Sequence, residues 1–139
     1  MTRYVFDTDH LSLLQRGHKP LLARIEQHAA GELAITIVTV EEQLRGRLAQ
    51  VRKAANPEQL AQSYKWLRET FDSLARLGVL DFDEAASRVY TDLLRQKIRI
   101  GTHDLRIAAI VIANDAVLVT RNMQDFANIS EVRLENWAD

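Results

Sequence analysis

Asp7, Glu42, Asp104 and the pair Asn122/Asp125 are the residues whose types and placement could do chemistry. Asp7 follows the apolar run Tyr4-Val5-Phe6, and Glu42 lies in the first turns of a helix-like run after Leu33-Ala34-Ile35-Thr36. Asp104 opens a strongly apolar helix-like run, and Asn122 and Asp125 come just after Val117-Leu118-Val119. In an open α/β sheet such places gather at one edge, outside the carboxyl ends of the strands. Acids far apart in sequence would then meet in one crevice. Clustered carboxylates repel one another unless a cation neutralises them. The pattern therefore points to a divalent-metal site and metal-assisted phosphodiester chemistry.

Each residue also has a plainer use. Asp7 could cap a helix, and Thr8 or Asp9 suits that job as well. Glu41 and Glu42 both favour the dipole at the start of their helix. Glu41 falls in line with Leu44, Leu48 and Val51, whereas Glu42 shares its face with Gly46, where a backbone or ligand can approach closely. That face makes Glu42 the preferred candidate. Asp104 also sits where a dipole partner is expected, but its helix is so apolar that this end must lie against the core, where a charge needs a partner. Asn122 suits the cap of a short helix after it. His103 has no histidine partner at metal spacing and reads as a surface or capping residue.

The elements that must position these groups follow from periodicity and punctuation. Strands are expected at Tyr4-Val5-Phe6, Leu33-Ala34-Ile35-Thr36, Val79-Leu80, Val117-Leu118-Val119 and Val132-Arg133-Leu134. Pro20 opens a helix running to about His28, and Gly31 breaks it. A helix over 38–53 precedes Asn56-Pro57, which caps and opens the next. There Leu60, Tyr64, Leu67, Phe71 and Leu74 form a stripe ending at Gly78, fitting a core or a subunit contact. Asp83 caps a helix that Gly101 ends. Thr102 caps the following helix, whose apolar body 107–113 should be buried and which Asn114 ends in the left-handed conformation. A turn of helix over 123–126 follows. Strands alternating with helices argue for a mainly parallel sheet of four to five strands, covered on both faces.

The chain has 139 residues, net charge −1 and no cysteine. One domain, 1–139, is expected. The missing thiols exclude disulfides, thiolate zinc sites and cysteine nucleophiles. Near-neutral charge means that nucleic acid would have to be held by a local basic patch or by metal. No basic-then-apolar leader precedes the first strand and no run spans a bilayer, which predicts a cytoplasmic chain without membrane contact.

Four segments carry a family resemblance: Val5-Phe6-Asp7-Thr8; Thr39-Val40-Glu41-Glu42-Gln43-Leu44-Arg45-Gly46; Thr102-His103-Asp104-Leu105-Arg106-Ile107-Ala108-Ala109; and Leu118-Val119-Thr120-Arg121-Asn122-Met123-Gln124-Asp125-Phe126. In this order and spacing the chain resembles the PIN-domain ribonucleases, and among them the VapC-type toxins of toxin–antitoxin pairs. The resemblance selects Glu42 over Glu41. It implies a three-layer α/β/α sandwich with the first strand central, RNA hydrolysis dependent on Mg²⁺ or Mn²⁺, a small antitoxin encoded nearby, and a homodimer. Many members carry aspartate where this chain has Asn122, and Asp125 could supply that carboxylate. Asp7 and Asp104 are then the expected direct metal ligands. Glu42 would hold a water or act as base, and Asn122 and Asp125 would orient water or complete a second site. Arg45 and Arg121 are the candidate RNA contacts. The alternative function is a weakly catalytic PIN-like module that binds RNA or a partner.

Overall fold

The structure, a computed structural model, describes residues 2–139. Five strands form one parallel sheet: β1 (Tyr4–Phe6), β2 (Leu33–Thr36), β3 (Gly78–Leu80), β4 (Val117–Val119) and β5 (Arg133–Glu135). Their order is β3-β2-β1-β4-β5, so β1 is central. Val5 aligns with Ala34 on one side and with Leu118 on the other. The chain builds outward from β1 in both directions, which places a topological switch, and hence a crevice, at its carboxyl end.

Side-chain alternation divides the sheet into two cores. Val5, Ala34 and Leu118 point to one face, where they meet Leu93, Ile107 and Ile110. Phe6, Ile35 and Val119 point to the other, where they meet Leu11, Leu21, Leu74 and Trp137. The first layer of helices is α5 (Glu84–Arg95) and α6 (Thr102–Ala113). The second contains α1 (Thr8–Gln15), α2 (Lys19–Ile25) and the end of α4 (Pro57–Ala75). The result is the expected three-layer sandwich, with a parallel sheet buried on both faces. α3 (Ile37–Lys53) pairs with α4, and α7 (Met123–Phe126) is a single turn.

Several element ends differ from the sequence expectation. α2 stops at Ile25, and Gly31 lies inside a short 3-10 turn, Ala30–Glu32. α4 ends at Ala75, leaving Gly78 as the first residue of β3. α5 ends well before Gly101, because Lys97 adopts φ 55° and turns the chain. α6 is not capped by Thr102, which is already helical; Gly101 is the cap residue, and its carbonyl accepts from Leu105 N–H. At the other end the left-handed residue is Asp115, not Asn114. That geometry lets Ala116 N–H reach Val111 O and Asp115 N–H reach Ile112 O, while the Asn114 amide donates to Ile110 O. β5 lies one residue later than expected. The α4 stripe is not core: Leu74 is buried, but Tyr64 is 54% and Phe71 59% exposed.

Candidate active site

Asp7 leaves β1 at the switch point, with its N–H held by Val119 O at 3.2 Å. It is buried and is itself the cap of α1: Oδ1 accepts from His10 N–H at 2.8 Å. Neither Thr8 nor Asp9 has this role, because both are already inside the helix. The capping bond commits Oδ1 and fixes the carboxylate. His10 is wholly buried beneath it, with Nδ1 3.5 Å from Oδ1 and no hydrogen bond between them.

Glu42 arrives from the second turn of α3. Thr36 caps that helix by accepting from Thr39 N–H at 3.2 Å. Thr8 Oγ1 then donates to Glu42 Oε1 at 2.7 Å, and Thr39 Oγ1 lies 3.2 Å from the same hydroxyl. Glu41 points elsewhere. It pairs with Arg45 at 3.0 Å, and His103 Nε2 lies 3.5 Å from its other oxygen. His103 thus neither caps α6 nor stands free on the surface; it faces α3 at Glu41.

Asp104 occupies the first turn of α6, half-buried as its apolar helix requires. Burial raises its pKa above the usual carboxylate value. The negative charges of Asp7, Glu42 and Asp125 raise it further, and His103 opposes them. One cavity of about 410 Å³ is lined by Asp7, Glu42, Asp104 and Asn122, with Thr8, Asp9 and Arg121. The three acids from β1, α3 and α6 therefore converge in one place.

The fourth position is a coupled pair. Asn122 lines the cavity and makes no side-chain capping bond to α7. Its N–H donates to Thr120 Oγ1 at 2.9 Å, and its amide donates to Asp125 Oδ2 at 3.0 Å. Asp125 is exposed and outside the cavity lining, yet its charge reaches Asp104.

The two arginines singled out by sequence are both neutralised within the chain. Arg45 is held by Glu41. Arg121 grips Asp9 through two bonds of 2.7 and 2.8 Å, which lowers the Asp9 pKa. Arg121 is thereby fixed at the cavity edge. Sequence reasoning missed the orienting hydroxyl of Thr8 and the Asp9–Arg121 fork. The fork joins residues far apart in the chain, and no local spacing announces it.

Apart from the Arg121 guanidinium, the side chains lining the cavity offer oxygen or amide groups, the set that suits a hard divalent cation rather than a soft one. Asp7, Asp9 and His10 also bring ligand atoms within 4.8 Å of one another. Arg121 already occupies both oxygens of Asp9, and the His10 ring is buried. Of that trio, Asp7 alone remains for an ion in the cavity, together with Glu42 and Asp104.

No family model matches the chain. The ribonuclease VapC2 of Haemophilus influenzae is 28% identical over 142 residues, covering 99% of each chain. The tRNA(fMet)-specific endonuclease VapC of Shigella flexneri is 26% identical, covering 99% of this chain and all of its own. The structure of VapBC-1 from nontypeable Haemophilus influenzae superposes with a TM-score of 0.78 at 25% identity, over 99% of this chain and 100% of that one. Over nearly its whole length the chain is similar to VapC ribonucleases and to the toxin fold of VapBC complexes. The VapC matches run essentially end to end, so they take in all four segments that build the cavity. The structural match also takes in the central β1 with Asp7 at its end.

Proposed function

We propose that this protein is the ribonuclease toxin of a toxin–antitoxin pair and hydrolyses RNA phosphodiester bonds with a divalent ion, Mg²⁺ or Mn²⁺. The observation that carries the reading is the convergence of Asp7, Glu42 and Asp104 on one cavity of an end-to-end VapC-type fold. When bound there, the ion would neutralise the carboxylates, receive phosphate oxygens and make a water more acidic. Asp7 is pre-set by its capping bond, which leaves Oδ2 for the cavity. Thr8 fixes Glu42 Oε1 and leaves Oε2 to orient the attacking water and take its proton. Water oxygen attacks phosphorus, and the bond to the leaving 3′ oxygen breaks. Asp104 completes the anionic set, and Asn122 with Asp125 holds the fourth corner.

The partner is a small antitoxin; VapBC complexes from Haemophilus influenzae and Salmonella typhimurium are among the structural neighbours. Exposed Leu60, Tyr64 and Phe71 on α4 support a homodimer contact. No helix among the described residues is long and apolar enough to cross a membrane. A cytoplasmic site of action is part of the same proposal. RNA cleavage with magnesium or manganese, and its loss in excess chelator, tests the reading. RNA binding without metal-dependent cleavage would favour the binding-module alternative.

A further inference from the structure

We infer that the groove between α1 and α3 seats one unpaired nucleotide of the RNA beside the scissile phosphate, a reading that rests on the ribonuclease function proposed above. Glu42 lines both the carboxylate cavity and this groove of about 430 Å³. A strand leaving the cavity on that side enters the groove directly.

Gly46 lies in the groove, in the middle of α3. Glycine is a poor helix former. Among the described residues, a Cβ at this position would meet no atom within 4 Å beyond its chain neighbours and the backbone of its own helix turns. Internal packing therefore gives no reason for its absence. The missing side chain leaves bare backbone over open space, against which a flat base can lie.

Charge points the same way. Arg47 donates only to neutral groups, Thr70 Oγ1 at 2.9 Å and Gln50 Oε1 at 3.0 Å. Among the described residues, neither Arg47 nor Arg16 forms an ion pair with a carboxylate, unlike Arg45 and Arg121. Arg47 also lies over the Trp66 ring at 5.7 Å, and Arg16 acts on Asp9 only through space, so two guanidinium groups held by no carboxylate line this groove, where a phosphate next to the scissile one would pass. The groove also presents amides. Gln15 donates to Gln43 Oε1 at 3.2 Å, and Gln43 donates to Ser12 Oγ at 3.4 Å. These long bonds are readily exchanged for a base edge, whose donors and acceptors an amide matches. Such edges are free in unpaired RNA.

The test compares cleavage of a short RNA holding one scissile bond with cleavage of the same RNA extended by a few nucleotides on either side. Wild type, Gly46→Gln and Arg16→Gln are assayed, and each is also melted. Extension on one side should raise wild-type kcat/KM by roughly tenfold or more, the scale of one bidentate base contact. Gly46→Gln fills the groove from an already helical backbone; it should keep or raise its melting temperature and lose that gain, chiefly through KM. Arg16→Gln, on a different helix, should reduce the slope of log KM against log salt by about 0.7. A full gain in Gly46→Gln, an unchanged salt slope in Arg16→Gln, or a wild type indifferent to extension would each overturn the inference and leave the groove to a protein segment. A wild type that cleaves neither RNA with magnesium or manganese overturns the ribonuclease reading itself.

Discussion

Among the described acids, Asp104 is the one whose pKa the fold raises. Its pKa is raised by burial and then by Asp7, Glu42 and Asp125. In the absence of metal, the folded chain therefore binds more protons than the unfolded chain between the unfolded and folded pKa values of this group. This contribution to stability is fully present below the unfolded carboxylate pKa and is lost as pH rises through the folded one. Asp104→Asn removes the ionisation, so in chelator it should raise the melting temperature near neutral pH and flatten its fall between acid and neutral pH; parallel melts across pH check this. Thr8→Val keeps shape but removes the hydroxyl that holds Glu42. Loss of such an orienting partner costs roughly 10- to 100-fold in activity or metal affinity, so cleavage should drop by that factor while the melt stays cooperative. At the fourth corner, Asp125→Asn should lower cleavage more than Asn122→Ala if the carboxylate matters. Rates at saturating metal decide, and the reverse order would assign the work to the amide. The convergence of Asp7, Glu42 and Asp104 was legible because Asp7 follows a strand while Glu42 and Asp104 lie in the first turns of helices, at ends that a parallel sheet brings to the switch point. Asn122 and Asp125 stayed ambiguous because one turn of helix puts both near the cavity. Arg121 was legible as a neighbour of the site but not as the partner of Asp9, since that pairing depends on how β4 lies beside β1.

Among the elements, those with strong local signals were legible: β1, β2 and β4 from short apolar runs, α4 from Asn56-Pro57, and α6 from its all-apolar body. Their ends were less so. Lys97 and Asp115 take positive φ without being glycine, so no glycine marks these turns in the sequence. The α4 stripe teaches a different lesson. Its spacing is that of a buried face, but α3 and the sheet cover only part of it. The remaining Leu60, Tyr64 and Phe71 suit a second molecule better than water. Phe71→Glu should therefore convert a dimer to monomer in sedimentation or light scattering without unfolding the chain. A dimer that survives Phe71→Glu and Tyr64→Glu together would move the contact off α4.

At the scale of the whole molecule, the parallel sheet brings the cavity together. Order β3-β2-β1-β4-β5 sets Asp7 at the switch, lets α3 deliver Glu42 from one side and lets α6 deliver Asp104 from the layer above. A net charge of −1 gives little general attraction for RNA, so under the proposed function binding would depend on local arginines and on a divalent ion that reverses the sign of the acid cluster. The most direct measurement is cleavage of RNA by wild type and Asp104→Asn, with magnesium or manganese and with excess chelator. Wild type should cut only when the metal is present, and Asp104→Asn should be slower by on the order of a hundredfold or more, since even partners behind a ligand cost up to about that much. Cleavage that persists in chelator, or an Asp104→Asn protein as active as wild type, would contradict the metal-dependent carboxylate site.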